Sequence, residues 1–193
     1  MLTTALLTTL ERAWLALSPL NRPMALMGGI ALSIWQRMRA TRDIDVLVAL
    51  GETDVAGVVG MLRPHHFAPT SSPPVKRLGE LSILQLNYEP PATEVPICVD
   101  LLFGQSEYLR GVLARAVRVT LPGLRTEFSV VSCEDLVLLK LQAGRVIDHA
   151  DAVALLQENE PSIDADYLRQ WAAELGVTRG LDLAWEEATK CDA

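Results

Sequence analysis

The most constraining feature of this chain is the stretch MGGIALSIWQRMRATRDIDVLV, residues 27–48. It follows directly on the short apolar run MALM, opens on Gly28-Gly29, and continues with Ile30, Ala31, Ile34, Trp35 and Met38 at helical spacing. A basic turn leads into the apolar run DIDVLVAL. This order predicts a strand, a tight glycine turn, an amphipathic helix, a second turn and a second strand. Arg37 and Arg39 fall near the expected helix C-terminus, where cations suit the helix dipole. The unbroken apolar character of the second strand predicts a central position covered on both faces. Yet Asp43 and Asp45 sit at its start. Alternate residues share a strand face, so their like charges stand roughly 7 Å apart at Cα. Burying both unpaired would cost several kcal/mol. Either the strand end is solvated and paired with Arg39 or Arg42, or a cation compensates the two carboxylates.

The remaining segments complete a mixed α/β pattern. Leu6, Leu7, Leu10, Trp14 and Leu17 line one face of a helix over residues 4–17, which Pro19 and Pro23 end. Residues 53–63 read as a helix, and PHHFAPTSSPPVKRLGE as an exposed loop or hairpin. LSILQLNYE and VPICVDLLFG read as strands, with PPAT turning between them. A short helix over 105–116 and two short strands, VRVTLP and EFSVV, follow. From Ser132 the character turns helical, with Ser132 and Asp135 spaced as a capping box. Breaks are expected near Gly144, Pro161 and Gly176, and Leu168, Trp171 and Leu175 form one stripe. The fold class is therefore α+β: a mixed-sheet core with an N-terminal helix over 1–131, and a helical region over 132–193 packed on it. There is no internal repeat.

Composition narrows the functional classes. Half of the 193 residues are hydrophobic, yet no apolar run reaches the ~18 residues of a membrane span. The N-terminus lacks the basic and apolar regions of a signal peptide, so a soluble, cytoplasmic protein without a membrane partner is expected. The net charge of −7 argues against nucleic-acid binding through overall charge, though not against a local basic groove. Cys98, Cys133 and Cys191 show neither CxxC nor zinc-ligand spacing. Cys98 and Cys133 are expected in the core and Cys191 on a loose tail. His65 and His66 read as surface residues, His149 as a solvated helix residue, and Trp14, Trp35, Trp171 and Trp185 as packing residues.

Three features add to the aspartate pair. Glycines at a strand-to-helix junction let backbone amides approach a phosphate. Asp100 lies in a second apolar strand, ICVDLLFG, where an unpaired charge is again expensive. Three strand aspartates offer the hard oxygen ligands that Mg²⁺ prefers. In LLKLQAGRVIDHAD, Lys140 and Arg145 stand near Asp148 and Asp151, which share a helical face at i,i+3; a salt-bridged, solvated helix reads equally well.

Together these residues resemble the nucleotidyltransferase fold of the DNA polymerase beta superfamily, and within it the AbiEii-type nucleotidyltransferases of abortive-infection and toxin–antitoxin systems. The likeness rests on Gly28-Gly29-Ile30-Ala31-Leu32, then Arg39-Ala40-Thr41-Arg42-Asp43-Ile44-Asp45, then Asp100 in VDLL, SCEDLVLLKLQAGR and DHAD. It covers roughly residues 24–156. Trp35-Gln36 stands where many relatives carry His-Gly, and Ile147 where they often carry lysine.

The resemblance implies a sheet flanked by helices and transfer of a nucleoside monophosphate from an NTP, ATP among them, to a hydroxyl acceptor. Asp43, Asp45 and Asp100 would be catalytic and would hold one or two Mg²⁺. Gly28, Gly29, Arg39, Thr41, Lys140 and Arg145 would bind the nucleotide, with Asp148 and Asp151 positioning Lys140 or the acceptor. The acceptor would be tRNA, another RNA or a protein, and an antitoxin protein would be a partner. Two alternatives stay open: a small-molecule, antibiotic-type nucleotidyltransferase, and a nucleotide-binding or partner-binding module with impaired chemistry.

Overall fold

The structure, a computed structural model, describes residues 2–79, 81–89 and 96–190. The expected PPAT turn and Cys191 lie outside the described residues. The chain divides into two compact units: Met1–Ile30 with Ala40–Val131, and Ala31–Arg39 with Ser132–Ala193.

The first unit is built on a mixed sheet. Its strands are β1 (Met24–Met27), β2 (Asp43–Val48), β3 (Phe67–Pro69), β4 (Val75–Leu78), β5 (Leu81–Tyr88), β6 (Ile97–Phe103), β7 (Val117–Thr120) and β8 (Glu127–Val130). Their spatial order is β3-β5-β6-β2-β1-β8-β7, with β4 also pairing β5. β2 runs parallel to β6 and β1 parallel to β8, while the other pairs are antiparallel. The helices are α1 (Thr4–Leu17), α3 (Val55–Leu62) and α4 (Glu107–Ala114), together with the start of α2 (Gly28–Ile34). The Pro/Ser-rich segment, expected as a loop or a hairpin, instead supplies two short strands, β3 and β4, which pair not with each other but each antiparallel with β5.

Alternation separates the two sheet faces. Ile44, Val46, Val99, Leu101, Leu84 and Leu86 are all buried on one of them. Trp14 of α1 meets Phe128 of β8 on this face in a T-shaped contact at 5.2 Å, so α1 covers it. The other face carries the row Met27, Asp45, Asp100 and Gln85 across β1, β2, β6 and β5. β2 is central, as its apolar run predicts, and Val46–Val48 are buried to both sides. Burial fails at its start, where Asp43 is exposed and Asp45 half-buried. Hydration of that strand end removes most of the cost that two enclosed carboxylates would carry.

The second unit is helical: α5 (Cys133–Ala143), α6 (Val146–Asn159), α7 (Ala165–Glu174) and α8 (Thr178–Lys190). Ser132 Oγ accepts from Asp135 N–H at 3.1 Å and caps α5, and Asp164 Oδ1 accepts from Tyr167 N–H at 2.9 Å and caps α7. The breaks fall at Gly144, Pro161 and Gly176, as the sequence predicts. α5 packs on α6, α7 and α8, burying Leu136, Val137, Leu155, Leu168 and Leu181.

Residues 31–39 belong to this unit, and here the structure corrects an expectation. The helix ends at Ile34 rather than running on to Met38. Gln36 adopts a left-handed backbone (φ +67) and Arg37 N–H donates to Leu32 O at 2.9 Å, the pattern of a Schellman helix stop. Met38 is consequently exposed rather than part of an apolar stripe. Asn159 Nδ2 fastens the stop by donating to Trp35 O at 3.0 Å. Trp14 lies in the core, while Trp35, Trp171 and Trp185 are half-buried.

Candidate active site

The parallel pairing of β2 and β6 sets Asp45 beside Asp100 and Asp43 beside Cys98 on one sheet face. Antiparallel pairing then puts Gln85 of β5 beside Asp100. Asp100 is held from both sides: Cys98 Sγ–H donates to Oδ1 at 3.3 Å, and Gln85 Nε2–H to Oδ2 at 3.4 Å. Cys98 was expected in the core with Cys133. Cys133 is buried, whereas Cys98 is half-buried on the aspartate face. Burial, the charge of Asp100 and the hydrogen bond to it, then Asp43 and Asp45, push the Cys98 thiol up to about 12. Cys98 therefore acts as a neutral donor at physiological pH.

The two glycines have a steric reason. Gly28 has φ +62, and a Cβ there would lie 1.9 Å from Asp45 Oδ2. A Cβ on Gly29 would lie 2.5 Å from Thr41 Oγ1. The start of α2 thus lies directly on the Asp45 carboxylate and the Thr41 hydroxyl, a closeness that only glycine permits. Thr41 Oγ1–H donates to Asp43 O at 3.2 Å and closes the turn into β2.

The second unit carries a separate charge cluster. Asp148 and Asp151, one turn apart on α6, are both fully buried. Lys140 of α5 reaches Asp148 Oδ1 at 2.9 Å and Asp151 Oδ2 at 3.0 Å, with its own side chain only 8 % exposed. Arg145 forks onto both oxygens of Asp148. Burial pushes the Asp148 carboxyl up, but hydrogen bonds and charge from Arg145 and Lys140 outweigh it and hold it below the ordinary carboxylate value. Around Asp151, Arg37 Nε stands at 3.6 Å and Arg39 Nη1 at 3.7 Å. Neither Asp151 oxygen makes a hydrogen bond of good geometry, so Asp151 is held by charge alone. Arg37 and Arg39 keep 35 % and 34 % of their side chains in solvent.

Each residue singled out in the sequence now has a place. Gly28, Gly29, Thr41, Asp43, Asp45 and Asp100 lie together in the first unit, while Arg39, Lys140, Arg145, Asp148 and Asp151 lie together in the second. The alternative of a solvated salt-bridged helix does not describe Asp148 and Asp151, whose carboxylates are buried, though their partner Arg145 is largely exposed. Gln85 and Arg37 were not expected at either cluster. The signal for Gln85 was a polar residue at an alternating strand position two strands from Asp45; for Arg37 it was the helix stop at Gln36. His65 and His66 are exposed, and His149 pairs with Glu187 at 3.3 Å.

The donor set of the aspartate face suits a hard divalent cation: carboxylate oxygens, with the neighbouring sulfur kept protonated. Among the described residues no three His, Cys, Asp or Glu groups are gathered closely enough to hold a metal ion as placed. The fit is therefore one of donor chemistry and strand register. No helix among the described residues is long and apolar enough to cross a membrane.

The sequence matches the family model described as "Nucleotidyl transferase AbiEii toxin, Type IV TA system" over residues 9–188. No curated protein matches it significantly. Among solved structures the chain is similar to an antigenic nucleotidyltransferase-like protein from Paracoccidioides brasiliensis, at 20 % identity and TM-score 0.50, covering 94 % of both chains. It is also similar to a nucleotidyltransferase candidate from Thermotoga maritima, at 13 % identity and TM-score 0.54, covering 90 % of this chain and 96 % of that one. A third is ANT(2")-Ia in complex with adenylyl-2"-tobramycin, at 13 % identity and TM-score 0.53, covering 90 % and 98 %. These three likenesses are of fold.

Proposed function

Because the chain belongs to the AbiEii nucleotidyltransferase family, we propose that this nucleotidyltransferase moves a nucleoside monophosphate from an NTP to a hydroxyl of RNA, tRNA among them, or of a protein. We place it in the cytoplasm as the toxin of a toxin–antitoxin pair with an antitoxin partner. The observation that carries the reading is the register pair Asp45–Asp100 on the half-open sheet face, with Gly28 seated on Asp45.

In this reading Asp43, Asp45 and Asp100 would hold one or two Mg²⁺, which would supply neutralisation of phosphate charge and stabilisation of the leaving oxygen. Gly28 and Gly29 give the triphosphate a close approach to backbone. Thr41 fixes the turn that presents Asp43. Arg39, Lys140 and Arg145 supply positive charge toward the phosphates, with Asp148 and Asp151 holding them in orientation. Asp100 takes the proton of the attacking hydroxyl. A bond then forms from that oxygen to the α-phosphorus, the bond to the β-phosphate bridge breaks, and pyrophosphate leaves.

The test incubates the protein with Mg²⁺, each of the four labelled NTPs, and total tRNA, a protein extract or an aminoglycoside. Label transferred to tRNA or protein supports the reading. Label on the aminoglycoside alone replaces it with the small-molecule alternative, toward which the net charge of −7 leans. No transfer of any nucleotide, with none bound in calorimetry, overturns it. An Asp43→Asn variant as toxic to host cells as the parent would establish the impaired binding module instead.

A further inference from the structure

We propose that Gln85 is a positioning residue for the reaction, holding the Asp100 carboxylate in the orientation that receives the acceptor's proton; this rests on the role given to Asp100 under the proposed function. Gln85 stands on β5 directly beside Asp100 of β6, half-buried on the aspartate face. The direction of its amide is determined by its partners. Gln85 Oε1 accepts from Lys76 Nζ at 3.2 Å and from Thr70 Oγ1 at 3.2 Å. Both partners are donors here, so the carbonyl oxygen must face them and Nε2–H must face Asp100 Oδ2.

With Cys98 Sγ–H on Oδ1, each oxygen of Asp100 receives one neutral donor. This arrangement fixes the carboxylate plane before any substrate arrives. The ammonium of Lys76 polarises the amide and strengthens its donation. At 3.4 Å the Gln85 bond is long, as bonds at catalytic groups often are before substrate binds.

The experiment compares kcat and KM for the NTP in the full chain carrying Gln85→Leu, Gln85→Glu or Lys76→Met with Thr70→Val, beside Asp100→Asn as reference. Expected for Gln85→Leu is a fall of about tenfold in kcat with an unchanged KM for the NTP, a split that a merely structural loss would not give. Gln85→Glu keeps the size but sets a second carboxylate beside Asp100, and its loss exceeds that of Gln85→Leu at neutral pH. The Lys76 and Thr70 changes lie on exposed side chains and keep Gln85 in place. They should lower kcat a few-fold with KM for the NTP unchanged, and they decide the matter if Gln85→Leu folds poorly. If Asp100→Asn is inactive while the Gln85, Lys76 and Thr70 variants keep the parental kcat, this inference fails alone. A fully active Asp100→Asn removes the role of Asp100 itself, and the inference with it.

Discussion

Two pairs of aspartates in this protein meet opposite fates. Asp43 and Asp45 lead a strand, in partial contact with solvent, with a third carboxylate alongside. Asp148 and Asp151 are sealed inside a helical unit, ringed by Lys140, Arg145, Arg37 and Arg39. The first group gathers three carboxylates on a half-open sheet face; the second is negative charge compensated by cations of its own unit. In the second, four cationic side chains surround two carboxylates, and all three arginines keep part of their surface in water.

The sharpest way to break this contrast is Asp43→Asn. Transfer activity should fall by several kcal/mol of barrier, about a thousandfold, while stability stays within about 0.5 kcal/mol because the side chain is exposed. A large loss of stability would show that Asp43 is structural. Lys140→Met should do the reverse in denaturant titration. It leaves two buried carboxylates short of a cation and should cost about 3 kcal/mol or more of unfolding free energy.

Gly28→Ala probes the first cluster sterically. The added methyl collides with Asp45 and the residue is held at φ +62, so a loss of about 2 kcal/mol is expected in thermal unfolding. The second cluster also predicts an acid limb. Asp148 has its folded-state pKa lowered, so its contribution is complete above the ordinary carboxylate value of about 4 and is lost as pH falls through the lower folded value. Arg145→Ala should make that limb shallower in denaturant melts below about pH 4. The smallest effect expected is a gain: Gln36→Gly relieves the left-handed backbone of the helix stop and should stabilise by about 1 kcal/mol or less.

Much of this was legible in the sequence, for identifiable reasons. Strand and helix periods are strong in DIDVLV, LSILQLNY and ICVDLLF, and the breaks at Gly144, Pro161 and Gly176 come from residues that end helices locally. The gathering of Asp43, Asp45 and Asp100 in one unit was expected from their setting in apolar strands. What escaped depended on register and on tertiary contact. Gln85 reaches Asp100 only because β5 and β6 pair at one offset, and a shift of one residue would turn it to the opposite face. Cys98 read as a core residue by type, yet its alternation with Asp100 puts it on the same half-open face. The helix was extended past Ile34 because Trp35 and Met38 keep an apolar period. Nothing local in Gln36 announced a left-handed backbone, since that conformation usually belongs to glycine.

The pairing of Asp45 with Asp100 has a consequence for when the protein becomes competent. The two residues are distant in the chain and adjacent only once β6 has zipped alongside β2, bringing β5 with it. Contacts of such long sequence separation form late, after local helices and hairpins. Until that pairing forms, Asp43 and Asp45 stand with no third carboxylate beside them, and in the proposed reading the set that would hold the cation is incomplete.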